Sequence, residues 1–149
     1  MRWLALDIGA RRVGVAASDT DEKVVTPLAP LAYRGPLRLA EEARALIDRL
    51  GAGGVVVGVP RTRGGRGRGE RRVADVVAAL RAIVSVPVEL EDERGTTAAA
   101  ESLLAEAGVP PRRWEALVDG LAARLILEGH LAARERGRPG GIDLPDLGC

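Results

Sequence analysis

The sequence predicts a single α/β domain built on a mixed five-stranded sheet flanked by helices. Three observations lead there. The chain has 149 residues, the length of one domain. Its first 33 residues hold three closely spaced strand-like segments. Beyond them, helical periodicity alternates with short apolar runs.

Residues 2–7 (RWLALD) read as a short buried strand ending at Asp7. Residues 12–18 (RVGVAAS) alternate and carry valines, which favour a second strand. Residues 23–33 suggest a third, confined to an edge or made irregular by Pro27 and Pro30. Leu39, Ala43, Leu46, Ile47 and Leu50 then fall on one helical face, and Gly51, Gly53 and Gly54 end that helix. GVVVGVP (54–60) is a continuous apolar run, as in a strand buried on both faces. A Gly/Arg loop spanning 61–72 precedes a helix whose inward face is Val73, Val76, Val77 and Leu80. VPVEL (86–90) is the next strand, with EDER at its end. Thr96 or Thr97 caps the following helix, which turns Ala100, Leu103, Leu104 and Ala107 inward. Pro110 and Pro111 separate it from a last helix over about 112–134. Residues 1–134 therefore form the domain, and the Gly/Pro-rich stretch 135–149 reads as a flexible tail. A meander followed by βα units gives a mixed sheet with helices on both faces. This is the element order of the ribonuclease H-like fold.

Composition excludes several chemistries. The one cysteine, Cys149, has no partner for a disulfide or a zinc site. The one histidine, His130, nearly excludes Ser-His-Asp triads and histidine-based metal sites. A metal here is held by oxygen ligands, which favours magnesium or manganese, two ions in a phosphodiesterase site. The sequence shows neither a secretory signal nor a span-length apolar run, so a cytoplasmic location is expected. Net charge is only +1, but Arg61, Arg63, Arg66, Arg68, Arg71 and Arg72 fall within twelve residues beside a single acid, Glu70. Such a loop suits phosphate contacts, although a solvated charged turn has the same composition. With aromatic residues at 2%, recognition rests on shape and backbone rather than base stacking.

Two-metal phosphodiester cleavage needs acids from distant parts of the chain to converge. Their mutual repulsion makes them good cation ligands. Asp7 closes an apolar strand, where a carboxylate is costly unless used or paired. Glu93 follows a strand in the cluster Glu89, Glu91, Asp92, Glu93, Arg94. Asp119 shares a helical stripe with Ala123 and Ile126. Read singly, these fit a turn-forming aspartate, a solvated acidic turn and an exposed helical acid. The predicted fold brings strands one and four together at the sheet centre, and periodicity alone leaves open whether Asp7 and Glu93 meet.

Four segments in register, LALDIGARRVGVAASD (4–19), VVVGVP (55–60), DERGTTAAAE (92–101) and VDGLAARLILEGHL (118–131), resemble the YqgF/RuvX family. That family comprises Holliday-junction resolvases also implicated in maturing the 5′ end of 16S ribosomal RNA. The resemblance covers roughly residues 2 to 132. It implies a ribonuclease H-like fold and a divalent-metal site on Asp7, Glu93 and Asp119. It further implies supporting roles for Asp92, Arg94, Thr96 and Thr97. The chain departs from the family at VPRT (59–62), which lacks the usual asparagine, at Gly95 in place of leucine, and at Ala10-Arg11 in place of Thr-Lys.

Three functions compete. In the first, an endonuclease, Asp7 ligates both metals and Glu93 and Asp119 one each. Arg11, Arg12, Arg61, Arg63, Arg66, Arg68, Arg71 and Arg94 grip the phosphates of branched DNA or precursor rRNA, and a homodimer suits cleavage of two strands. The second is a phosphotransferase or ATPase, suggested by the turn Asp7-Ile8-Gly9 but opposed by the chain's length and its lack of a P-loop pattern. The third is a non-catalytic binding module that assists ribosome or transcription factors. His130 reads as a helix cap or surface residue, and Trp3 and Trp114 as packing residues.

Overall fold

The computed structural model describes residues 1–60, 67–93 and 95–137. The chain opens with β1 (Trp3–Ile8), β2 (Arg12–Ser18) and β3 (Val25–Ala32). It continues through α1 (Pro36–Leu50), β4 (Gly54–Val59), α2 (Arg68–Ile83), β5 (Val88–Asp92) and α3 (Thr96–Glu106). A 3₁₀ turn at Pro111–Arg113 leads into α4 (Trp114–Glu135). The sheet order is β3-β2-β1-β4-β5. β2 runs antiparallel to β1 and β3, whereas β4 runs parallel to β1 and β5. The expected mixed five-stranded sheet is therefore present.

Strand parity divides the sheet into two faces. Leu4, Leu6, Ile8, Val13, Val15, Val55, Val57, Val59 and Leu90 join residues of α1 and α2 in the larger core. Trp3, Ala5, Ala16 and Val56 face the other way, onto Ala123, Ile126 and Leu127 of α4. β4, and β1 as far as Leu6, are apolar because both of their faces are covered. Asp7 has the parity of Trp3 and Ala5, so it belongs to the α4 face.

Four details differ from expectation. Residues 68–72 are helical rather than loop, because Glu70 and Val73 are buried and draw that turn onto the core. Arg61, Arg63 and Arg66 lie outside the described residues. β5 runs on through Glu91 and Asp92, which pair with Gly58 and Val59. Gly95, not a threonine, caps α3, and Leu103 and Ala107 are exposed while Ala100 and Leu104 are buried. α4 takes in Glu135, the first residue assigned to the tail, and residues 138–149 lie outside the described residues. As expected from its prolines, β3 is an edge strand, with an irregularity opposite Val13–Val15. Among the described residues, no helix is long and apolar enough to cross a membrane.

Candidate active site

Because β1, β4 and β5 are parallel, their C-terminal ends share one edge of the sheet. Asp7 is the penultimate residue of β1. Glu93 is the first residue past β5, and its N–H still donates to the Val59 carbonyl at 3.1 Å. The Glu93 carbonyl accepts from the Thr96 N–H at 2.9 Å and from Thr96 Oγ1 at 2.7 Å. Gly95, at φ 79, supplies the left-handed backbone that closes this turn. Glu93 is thus fixed by the strand behind it and the turn ahead of it, and Thr96 holds the Glu93 carbonyl with both its N–H and its hydroxyl rather than capping the helix.

Two glycines flank Asp7 and open the room for convergence. Gly14 of β2 is its register partner. A Cβ there would lie 2.1 Å from the Asp119 carbonyl oxygen, so α4 rests on bare backbone at this point. Gly58 of β4 is next in register after the pair Leu6–Val57. A Cβ at Gly58 would lie 2.5 Å from Ile126 Cδ1 and 2.9 Å from Glu93 Oε2. Sequence reasoning passed over both glycines, although glycine inside a β-branched strand signals a close approach.

Burial raises the pKa of Asp7, and the charge of Asp119 adds to the rise while a hydrogen bond with Glu93 offsets part of it. Glu93 is pushed up to about 9, first by burial, then by its hydrogen bond with Asp7 and the charges of Asp7 and Asp92. Near neutrality the pair therefore shares a proton that resides on Glu93. Glu93 Oε2 is buried without a hydrogen-bond partner. Two half-buried carboxyl groups crowded together, with one oxygen unpaired, fit a hard divalent cation, whose charge would favour the ionised form of both. As the side chains stand, no three acidic, histidine or cysteine residues among those described are gathered closely enough to hold a metal. Asp119 is turned to another partner, its Oδ2 accepting from Arg12 Nε at 2.6 Å.

The remaining expected site residues divide into groups. Arg11 is exposed beside the site turn, whereas Arg12 is engaged by Asp119 and Glu115 rather than pointing free. Arg68 and Arg71 are exposed on the first turn of α2. That turn lies at the same sheet edge, since Gly69 approaches Pro60, the residue after β4. Asp92 and Thr97 are exposed, and Arg94 lies outside the described residues.

His130 corrects an expectation. It is fully buried in α4, not a cap or a surface residue. Its Nδ1 is 3.1 Å from Glu91 Oε2 and its Nε2 is 2.9 Å from Glu89 Oε2. The ring meets Trp3 edge-on at 4.9 Å, and the Arg134 guanidinium covers the other part of Trp3 at 4.8 Å. Trp3 is core, as expected, and half-buried Trp114 donates Nε1–H to the Val109 carbonyl at 2.7 Å. His130 ties α4 to the strand that delivers Glu93. His130→Leu leaves two carboxylates facing an apolar side chain and is expected to lower unfolding stability by about 2 kcal/mol. His130→Gln, which keeps a donor, is expected to lose less. Urea unfolding of the two variants checks the order, and equal losses would reduce His130 to a packing residue.

A five-stranded mixed sheet with an acidic, glycine-flanked edge beneath a helix defines a ribonuclease H-like domain. The family model described as RuvX, Holliday junction resolvase, matches residues 1–133. The chain belongs to this family. A Chloroflexus aurantiacus protein named "Putative pre-16S rRNA nuclease" is 39% identical over 143 residues, 95% of this chain and 94% of that protein. A Desulforudis audaxviator protein of the same name is 40% identical over 139 residues, covering 93% and 99%. Among solved structures, Thermus thermophilus RuvC in complex with a Holliday junction substrate superposes with a TM-score of 0.61 at 16% identity, covering 95% of this chain and 99% of that one. The fowlpox virus resolvase in complex with Holliday junction DNA gives 0.58 at 9% identity, covering 90% and 99%. These two likenesses bear on the fold.

Proposed function

We propose that this chain is a divalent-metal-dependent endonuclease for structured nucleic acid, with Asp7, Glu93 and Asp119 as its metal ligands. The observation that carries the reading is the half-buried Asp7–Glu93 pair at the shared strand edge, with the Asp119 charge bearing on it. Mg²⁺ or Mn²⁺, when bound there, supplies activation of a water and stabilisation of the leaving oxygen. Asp7 and Glu93 would offer carboxylate oxygens from a strand end and a tight turn, and Glu93 would have to give up its proton to hold a cation. Arg11, Arg68 and Arg71 present guanidinium groups around the same edge, suited to holding phosphates without reading bases.

The choice of substrate is supported by the relatives that align over nearly the full chain. Those at 39–40% identity are named for precursor 16S rRNA, whereas the resolvases of known structure share 9–16% identity. We therefore expect precursor rRNA to be the better substrate. The test is cleavage of a labelled precursor 16S rRNA 5′ segment and a four-way DNA junction, with Mg²⁺ or Mn²⁺ and with chelator. Glu93→Gln runs alongside to exclude a contaminating nuclease. Metal-dependent cutting of the RNA, lost in Glu93→Gln, is the expected result. Cutting of the junction alone reassigns the substrate. Binding of both without cutting overturns the enzyme in favour of a non-catalytic module.

A further inference from the structure

We infer that Arg12, by pairing with Asp119, competes with a divalent metal for that carboxylate. The inference rests on the metal reading above and adds a linked step to it: Asp119 joins the site as the Arg12 guanidinium leaves.

Arg12 opens β2, immediately after the turn that follows Asp7. Its Nε lies 2.6 Å from Asp119 Oδ2 and its Nη1 lies 2.5 Å from Glu115 Oε1. Glu115 and Asp119 are four residues apart on α4, so one guanidinium spans a helical turn and neutralises both. A bound cation thus already occupies the carboxylate that the site lacks. This accounts for the finding that, among the described residues, the acids do not gather into a metal-binding group.

The arrangement is built to release. The Arg12 side chain is 42% exposed and that of Glu115 is 78% exposed, whereas that of Asp119 is 20% exposed. Exposed ion pairs are weak because water screens them. Once displaced, the guanidinium stands at the site edge with its planar fork unoccupied, and that geometry matches a phosphate. Arg12 is a positioning residue for Asp119, and its guanidinium would be free for a substrate phosphate were a metal to take that carboxylate. A fixed clamp that preorganises Asp119 for metal is the opposite reading, and it predicts the opposite sign.

The test is Mn²⁺ binding to the protein without nucleic acid, by calorimetry and by the electron paramagnetic resonance of free Mn²⁺. Arg12→Gln is expected to bind Mn²⁺ about tenfold more tightly than wild type. Glu115→Gln, which cuts only the exposed outer arm and poses little risk to folding, is expected to shift affinity in the same direction by less. Arg11→Gln removes the same charge from the neighbouring residue without touching Asp119, and its affinity should stay within about twofold of wild type. Weaker or unchanged binding in Arg12→Gln overturns the inference while leaving the metal site standing. Equal tightening in Arg11→Gln also overturns it, because net charge then explains the effect. Absence of Mn²⁺ binding in every variant removes the metal reading itself, and the inference with it.

Discussion

Asp7→Asn is expected to cut nucleic-acid hydrolysis by about a thousandfold or more while making the metal-free protein more stable. The two effects have one cause. Asp7 is a half-buried carboxylate whose pKa is raised by its surroundings, and it sits against Glu93 with the charge of Asp119 near. Asparagine keeps the shape and removes the charge. The charge is what a cation needs, and a thousandfold loss corresponds to about 4 kcal/mol of transition-state stabilisation. The same charge is a burden to the empty fold. The pH dependence follows from linkage. Glu93 titrates at 4.5 in the reference state and at about 9 in the fold, so between these values the folded protein binds more protons than the unfolded one. The contribution of Glu93 to stability is therefore fully present below its reference value and falls as pH rises through that window. Asp7→Asn removes the charge of Asp7 from the shift but neither the larger contribution of burial nor the charge of Asp92, so the slope should become shallower without vanishing. Thermal unfolding from about pH 5 to about pH 9 in chelator measures this. Added Mn²⁺ should raise the wild-type transition and leave that of Asp7→Asn nearly unmoved. Retained cleavage in Asp7→Asn would remove Asp7 from the chemistry, and a lower transition temperature would mark its carboxylate as a structural group.

The sequence made much of this site legible, for physical reasons specific to each residue. Asp7 stood out because a charge closing a fully apolar strand is costly. Strand order was readable because Pro27 and Pro30 confine β3 to an edge and GVVVGV demands a strand covered on both faces. Glu93 lay among four other charged residues, and only its place past β5, with Thr96 and Gly95 fixing its carbonyl, distinguishes it from Glu91. His130 was misjudged by residue type. Its spacing from Ala123, Ile126 and Leu127 continues the buried stripe of α4, and Glu89 and Glu91 recur at the strand period that faces it. The pattern was present, but a histidine's burial depends on partners from another element, which no local window contains. The Arg12–Asp119 pair spans 107 residues of sequence and was unreadable for the same reason.

Gly14→Ala is expected to injure both the fold and the chemistry, by moving a helix rather than by removing a reacting group. The added Cβ would sit 2.1 Å from the Asp119 carbonyl oxygen and 2.6 Å from its carbonyl carbon. Both are backbone atoms, so no rotamer change relieves the clash, and α4 or β2 must shift. Gly14 lies within a buried strand, opposite Asp7, so β2 has no slack in register. Overpacking of this kind costs about 1–3 kcal/mol. A displacement of about 1 Å in a positioned group costs about a hundredfold in rate. Gly129→Ala is the matched control on the same helix, since nothing lies within 4 Å of the Cβ it would add. It should gain about 0.5–1 kcal/mol from helix propensity and keep wild-type cleavage. Denaturant unfolding and single-turnover cleavage of both variants therefore separate a general intolerance of α4 to alanine from a specific contact. If Gly14→Ala unfolds like wild type yet cleaves slowly, the helix has absorbed the shift and Asp119 alone carries the penalty. If it cleaves like wild type, the approach of Asp119 to β2 is not what sets the site, and Asp119 loses its place among the metal ligands.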